Sequence, residues 1–328
     1  MGDIITVFGG SGFIGRHAVS ALLRAGKRVR IAVRRPHLAV DCAALGRTGQ
    51  VQVVQANLRF PESVAMALEG ANGVVNLVGI LAEGAKQTFD AVQAKGAGNV
   101  ARAAAAAGIS RLVQVSAIGA ARASKSRYAR AKAAGEDEAR TALPASVILR
   151  PSIVFGPEDD FFNRFAAMAR SSPVMPLIGG GRTRFQPIYV GDLARAIVAA
   201  LDQPNARGKT FELGGPHIYT FKELLLFIMR EAQRPRPFAP LPFFLAQPMG
   251  ALAGGFSRLL PLFPPMITED QVRLLKKDNI VGISGEPGLA SISDLGLHHL
   301  ETIEAITPSY LWRFRPYGQF SAARSPSL

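Results

Sequence analysis

Residues 4–16 read IITVFGGSGFIGR, and this stretch decides the fold. Its first five residues are apolar or β-branched, as in a buried parallel strand. Gly9, Gly12 and Gly15 follow at the spacing that permits a tight turn, close approach of the backbone to a pyrophosphate, and packing of a helix on the strand. Residues 13–25 have helical spacing and stop at Gly26, and the start of that helix offers N–H groups and positive dipole to phosphates. The stretch therefore predicts a dinucleotide-binding turn.

Strand and helix patterns alternate beyond this turn. Further strands are predicted at 29–33, 51–54, 73–78, 112–115 and 145–149, and the clearest intervening helix is at 93–107. Such alternation predicts an α/β fold, a Rossmann-type doubly wound parallel sheet over residues 1–234. From about residue 157, segments of a substrate lobe are expected to interleave with it. They hold helices at 161–168, 193–201 (capped by Asp192) and 221–230, and a short strand at 188–190.

Residues 235–328 change in composition and predict a smaller, Pro-rich C-terminal lobe with a docking region and tail. Eight prolines interrupt an apolar stretch here, and between Phe238 and Ile267 the only charged residue is Arg258. The Pro-free part, 249–260, is too short for a bilayer span, which needs about 20 residues. It fits a membrane interface, a partner surface or the protein's own core, and the sequence leaves these open.

The composition restricts the function classes. A net charge of +14 favours anionic partners, but the basic residues are scattered and no nucleic-acid-binding motif is present. We therefore expect no nucleic acid partner, and favour a protein partner or a membrane surface. The single cysteine, Cys42, cannot form a disulfide framework and fits a reducing compartment. The histidines lack metal-ligand spacing, so no metal is expected. The glycine motif starts at Gly9, which predicts that no presequence precedes it, as in a bacterial cytoplasmic protein or a mature organellar chain.

The end of the second predicted strand indicates which dinucleotide binds. A chain selective for NAD has an acidic residue there to hold the ribose hydroxyls, whereas this chain has Arg34 and Arg35. A guanidinium suits a 2′-phosphate, and Arg16 lies near the same region. NADPH or NADP⁺ is therefore the predicted cofactor, the alternative being that these arginines only form part of a basic surface. The predicted cofactor contacts of this segment are Gly9, Gly10, Ser11, Gly12, Phe13, Ile14, Gly15, Arg16, Arg34 and Arg35.

Three further residues have a catalytic pattern. Tyr128 and Lys132 lie four residues apart at the start of a predicted helix, on one face, and Ser116 ends the preceding strand. Together they resemble the catalytic set of the short-chain dehydrogenase/reductase superfamily, in its extended branch. The resemblance implies that Tyr128 is a general acid or base, that Lys132 lowers its pKa and holds the nicotinamide ribose, and that Ser116 orients a carbonyl or alcohol. It also implies cofactor contacts at Asn57, Leu58, Val78, Gly79, Tyr128, Lys132, Pro151 and Ile153.

A closer resemblance is to one atypical subfamily, the NADPH-binding accessory subunit of respiratory complex I in its bacterial form. The features that carry it are the short loop from Ser116 to Tyr128, FGPEDDFFNR at 155–164, PVMPLIGGG at 173–181 and the tail YLWRF at 310–314. It implies a non-catalytic subunit with a structural NADPH, bound to core subunits of the peripheral arm near the quinone site, with lipid at the Pro-rich apolar segment. The location implied is the cytoplasmic face of the bacterial inner membrane, or the mitochondrial matrix side in a eukaryote.

Two other functions remain open on the residues. An active NADPH-dependent reductase or epimerase of the extended short-chain dehydrogenase type would use Ser116, Tyr128 and Lys132 as catalytic residues, and a free-standing NADP(H)-sensing regulator would use only the nucleotide site. The compact loop with Arg122, Lys125 and Arg127, together with the apolar C-terminal region, favours docking over recognition of a sugar nucleotide.

Overall fold

A computed structural model describes residues 2–84, 87–248 and 269–324 of the chain. The chain forms two compact units, each assembled from separate segments. The first contains Met1–Pro151, Val190–Leu213 and Ser284–His299, and the second contains Ser152–Tyr189, Gly214–Ile283 and Leu300–Leu328. The predicted apolar stretch at 249–260 lies outside the described residues.

The first unit is built on an eight-stranded sheet in which every neighbouring pair is parallel. Numbered along the whole chain, its strands are β1 (Ile4–Phe8), β2 (Arg28–Val33), β3 (Val51–Gln55), β4 (Gly73–Asn76), β5 (Leu112–Val115), β6 (Val147–Pro151), β11 (Thr210–Leu213) and β14 (Ala290–Ser291). Their order is β14-β11-β6-β5-β4-β1-β2-β3. The chain runs outward from β1 to β3 and returns to β4 on the other side of β1, which confirms the predicted doubly wound Rossmann order.

Five helices flank this sheet, namely α1 (Phe13–Arg24), α2 (Pro61–Leu68), α3 (Lys95–Ala106), α4 (Arg127–Ala142) and α6 (Val190–Asp202). Helix α1 packs on α6, while α3 packs on both α2 and α4. Right-handed crossovers place these two groups on opposite faces of the sheet. The apolar core under α2 and α3 includes Phe8, Leu68 and Ile148, each almost fully buried.

Helix α6 begins earlier than the predicted residue 193. Its first residue is Val190, whose side chain is fully buried. Asp192 consequently lies in the first turn instead of capping the helix, and its carboxylate accepts a hydrogen bond from the Arg195 guanidinium at 2.6 Å. A carboxylate at this end of a helix complements the helix dipole.

The second unit has short two-stranded sheets and an aromatic core. Its strands are β7 (Val154–Phe155), β8 (Met175–Ile178), β9 (Arg184–Phe185), β10 (Ile188–Tyr189), β12 (Tyr219–Thr220) and β13 (Phe238–Leu241). Its helices are α5 (Phe161–Ser171), α7 (Phe221–Glu231), α8 (Glu269–Leu274), α9 (Ile303–Ile306) and α10 (Pro308–Leu311). Phe155, Phe162 and Phe221 are fully buried in its core. Within the described residues of the whole chain, no helix is both long and apolar enough to cross a membrane.

Candidate nucleotide-binding site

The glycine loop connects β1 to α1 and turns through backbone conformations that its glycines permit. Gly9 has φ +79°, in the left-handed region that favours glycine. The N–H of Gly12 donates to the carbonyl of Gly9 at 3.1 Å and closes the turn. A Cβ on Gly15 would lie 2.3 Å from that same carbonyl oxygen, so the first turn of α1 packs directly on the loop. Gly15 is therefore required for packing of the helix on the turn, whereas the sequence predicted packing on the strand.

The start of α1 suits an anion. No described side chain caps the helix and no acidic residue lies in its first turn. A Cβ on the exposed Gly12 would meet only the carbonyl oxygen of Gly9, at 3.4 Å, among the described atoms. Open space beside N–H groups at the positive end of a helix is the environment that a pyrophosphate requires.

The predicted contacts beyond this loop divide into exposed and buried groups. Arg34 and Arg35 follow β2 directly and are exposed, as is Arg16 in α1. Asn57 follows β3, and its side-chain oxygen accepts from the N–H of Arg59 at 3.2 Å. Leu58 is only 5% exposed and packs in the apolar core, and its carbonyl accepts a hydrogen bond from the Asn99 side chain at 2.7 Å.

The loop after β4 lies between the glycine loop and Lys132. A Cβ on Gly9 would lie 3.3 Å from both the amide nitrogen and a methyl group of Val78. A Cβ on Gly79 would lie 3.4 Å from the ammonium nitrogen of Lys132. The ends of β1 and β4 therefore meet beside Lys132, at the reversal of strand order where doubly wound sheets bind nucleotides.

Ser116, Tyr128 and Lys132 are brought together at the end of β5. Helix α4 begins at Arg127, capped by Ser126, whose hydroxyl accepts from the N–H of Ala129. The Lys132 ammonium donates to the carbonyl of Val115, next to Ser116, at 3.2 Å and lies 5.8 Å from the Tyr128 ring centre. The Ser116 hydroxyl is buried without a hydrogen-bond partner among the described residues. A buried hydroxyl in that state costs free energy, which a bound polar ligand relieves.

Burial shifts the pKa values of two of these groups. It raises the pKa of Tyr128 to about 12. It also lowers the pKa of Lys132 to about 8, against the opposing charge of Glu136. Tyr128 is therefore protonated at neutral pH, so that it can donate a hydrogen bond or a proton.

A buried ion pair that the sequence pattern did not predict lies one turn beyond Lys132. The Arg150 guanidinium binds both carboxylate oxygens of Glu136, at 2.9 and 2.7 Å, and also reaches Glu286 at 2.8 Å. Arg150 and Glu136 are 5% and 2% exposed. The spacing of Glu136 after Lys132 was the available signal, but its partner lies 14 residues away along the chain and only the fold brings them together.

Pro151 ends β6 in the first unit, whereas Ile153 belongs to the second unit and packs against its aromatic core. The second unit also joins two of the resemblance motifs. Asp159 accepts hydrogen bonds from the N–H groups of Gly156 and Phe162 and from the Tyr310 hydroxyl at 2.7 Å. The FGPEDDFFNR segment thus starts α5 and holds the YLWRF tail. Among the described residues, no group of His, Cys, Asp and Glu could hold a metal ion.

Comparisons with known proteins agree with this geometry. Residues 5–214 match the NAD dependent epimerase/dehydratase family. A protein named NADH dehydrogenase [ubiquinone] 1 alpha subcomplex subunit 9, mitochondrial, from Arabidopsis thaliana is 38% identical over 85% of this chain and 71% of its own length. A protein named ceramide reductase from Caulobacter vibrioides is 34% identical over 61% of this chain and 62% of its own. A solved structure, the UDP-glucose 4-epimerase of Thermus thermophilus in complex with NAD, is 21% identical with a TM-score of 0.65, covering 95% of this chain and 99% of that one.

Proposed function

This chain belongs to the NAD dependent epimerase/dehydratase family and to the family of NADH dehydrogenase alpha subcomplex subunit 9, and from that premise we propose that it is an accessory subunit of respiratory complex I that holds NADPH in a structural role. The observation that carries the proposal is the match of 85% of the chain to a protein bearing that name, combined with a nucleotide cradle at the reversal of strand order.

The residues present fit the cofactor. The glycine loop would hold the pyrophosphate, Tyr128 and Lys132 the nicotinamide ribose, and Arg16, Arg34 and Arg35 the 2′-phosphate. When bound, NADPH can supply a hydride, but a structural role requires none. Its binding alone would stabilise the fold by roughly 3–4 kcal/mol at a hundred to a thousand times its dissociation constant. That is sufficient reason for a subunit to retain the site.

The proposed partners are core subunits of the peripheral arm near the quinone site, at the cytoplasmic face of a bacterial inner membrane. The exposed side chains of Phe244 (73%) and Leu245 (46%), just before the apolar stretch from 249 onward, support a contact with a partner or lipid there. The high net positive charge supports an anionic partner.

Native electrophoresis of membranes solubilised in a mild detergent tests this function. We expect the chain to migrate with NADH:quinone oxidoreductase activity. A chain that remains a small soluble oligomer, while the complex assembles without it, would contradict the proposal.

The second candidate is an active NADPH-dependent reductase. It is favoured by the assembled Ser116, Tyr128 and Lys132 and by the likeness to a protein named ceramide reductase. A protonated Tyr128 suits donation to a carbonyl oxygen during reduction better than the removal of a hydroxyl proton that begins an epimerisation. The test is NADPH oxidation by the purified chain with quinone, lipid and sugar carbonyl substrates. Turnover that Tyr128→Phe abolishes would support it.

A further inference from the structure

The second unit carries a cluster of arginines around the ring of Phe314. The guanidinium groups of Arg170 and Arg313 lie over this ring, 5.5 and 5.2 Å from its centre. Arg234 donates to the carbonyl of Phe314 at 3.4 Å, which places a third arginine beside the same residue. Phe314 itself is buried, so the positive groups, and not the ring, form the outer layer.

Three more arginines extend the cluster. Arg236 donates to the carbonyl of Ala169, the residue before Arg170, at 2.9 Å. Arg315 donates to the carbonyl of Glu231 at 2.7 Å, and Arg230 lies 3.5 Å from the carboxylate of Glu231. We name this the arginine surface, formed by Arg170, Arg230, Arg234, Arg236, Arg313 and Arg315. Three chain segments, at 170, 230–236 and 313–315, thus converge on one continuous patch.

The arginine surface is rigid as well as charged. Four of its guanidinium groups donate hydrogen bonds to main-chain carbonyls of the same unit. These four groups belong to Arg234, Arg236, Arg313 and Arg315. A guanidinium fixed in this way loses little further freedom on binding, so its contacts with a partner are strengthened. Guanidinium groups also form paired hydrogen bonds to carboxylates, which a lysine cannot match in geometry.

The charge of the whole unit is concentrated here. Its sequence contains 15 Lys and Arg and 10 Asp and Glu, a net charge of +5, and the six arginines together with the Glu231 carboxylate that two of them contact also sum to +5. Beside them on the tail, Trp312, Tyr317 and Phe320 are 37%, 56% and 69% exposed. Exposed aromatics adjoining arginines form the composition that protein interfaces favour.

We propose that the arginine surface docks an acidic segment of a protein partner. The inference rests on the proposed function, because it assigns the contact with complex I to this face of the second unit. A folded protein is favoured over a membrane as the occupant because the arginines are held in fixed positions. A membrane surface attracts basic side chains largely through their number and imposes no such geometry.

The test compares two double variants of the full chain with the same change in charge. Arg170→Glu with Arg230→Glu reverses two exposed members of the surface, whose guanidinium groups lie over the rings of Phe314 and Phe227. Arg24→Glu with Arg207→Glu reverses two exposed arginines of the first unit and is the control. We expect the first pair to lower the fraction that migrates with complex I at least about tenfold and the control to leave it within about twofold. NADPH binding by the purified chain should be unchanged in both.

Each other outcome has a distinct meaning. If the unaltered chain does not migrate with the complex, the proposed function fails first. If the unaltered chain and both variants migrate equally, only the arginine surface is wrong. Flotation with phosphatidylglycerol vesicles tests whether the arginine surface binds lipid instead of a protein. If the surface variant loses vesicle binding while its migration with the complex is unchanged, the surface is a lipid site and the protein-docking inference is overturned.

Discussion

The glycine loop and the Ser116–Tyr128–Lys132 group lie at the same edge of one sheet but are built in opposite ways. The loop is shaped by backbone contacts, such as the position of Gly15 against the carbonyl of Gly9. The other group contains buried polar atoms that have lost their contact with water. The Ser116 hydroxyl has no hydrogen-bond partner among the described residues, and burial lowers the pKa of the Lys132 ammonium to about 8.

A nucleotide can therefore stabilise the subunit without reacting. The loop takes its form from main-chain contacts of the folded chain, such as the hydrogen bond from the N–H of Gly12 to the carbonyl of Gly9. The polar group retains a desolvation penalty in the absence of ligand, which bound hydroxyl and phosphate groups would relieve. The loop therefore provides the place and the polar group provides the stabilisation.

The largest effect is expected in the loop. Gly15→Val should destabilise the nucleotide-free chain by about 3 kcal/mol, since its Cβ would require the turn at Gly9 to shift. Its control, Gly12→Ala, should cost under about 1 kcal/mol because the added methyl group meets one atom at ordinary contact distance. Chemical denaturation without nucleotide measures both. Equal losses in the two variants would show that the loop is not fixed by packing.

A substitution in the Ser116–Tyr128–Lys132 group should raise the stability of the nucleotide-free chain instead of lowering it. Lys132→Met should stabilise the nucleotide-free chain at pH 7 by about 2 kcal/mol, because it removes a buried ammonium while leaving the Val115 carbonyl unpaired. The same variant should bind NADPH more weakly. A loss of stability without nucleotide would contradict the assignment of a burial penalty to this residue.

The sign of the pH dependence follows from the same shift. Between about pH 8 and the unfolded value near 10.5, the unfolded chain binds more protons at Lys132 than the folded chain does. Stability of the unaltered chain should therefore rise relative to that of Lys132→Met across this window. Below about pH 8 the difference should be constant. Denaturation midpoints of both chains at several pH values check this.

The smallest effect concerns the choice of nucleotide. Arg34→Gln with Arg35→Gln should weaken NADPH binding about tenfold or more and leave NADH binding nearly unchanged, because only NADPH carries the 2′-phosphate. Titration calorimetry with both nucleotides measures the ratio. A parallel loss for the two would mean that these arginines act as part of a general basic surface.

The sequence predicts those features that depend on residues close together along the chain. The glycine loop, the central strands and the Tyr128–Lys132 pair follow from periodicity and short spacings, and the strand order confirms the fold. The burial of Arg150 with Glu136 and Glu286 had no such signal, since it joins residues up to 136 positions apart. The two-residue strand Ala290–Ser291, which adds to the far edge of the sheet, likewise has no apolar run to indicate it.

The most direct test of the central claim replaces the encoded protein by Tyr128→Phe in living cells. Tyr128 is the residue on which chemistry depends, and its phenyl ring would still fill the same space against Phe89. We expect the variant to migrate with complex I and the membranes to reduce quinone with NADH at the unaltered rate. Normal assembly combined with loss of quinone reduction would contradict a structural role for the nucleotide and assign the chain a reaction.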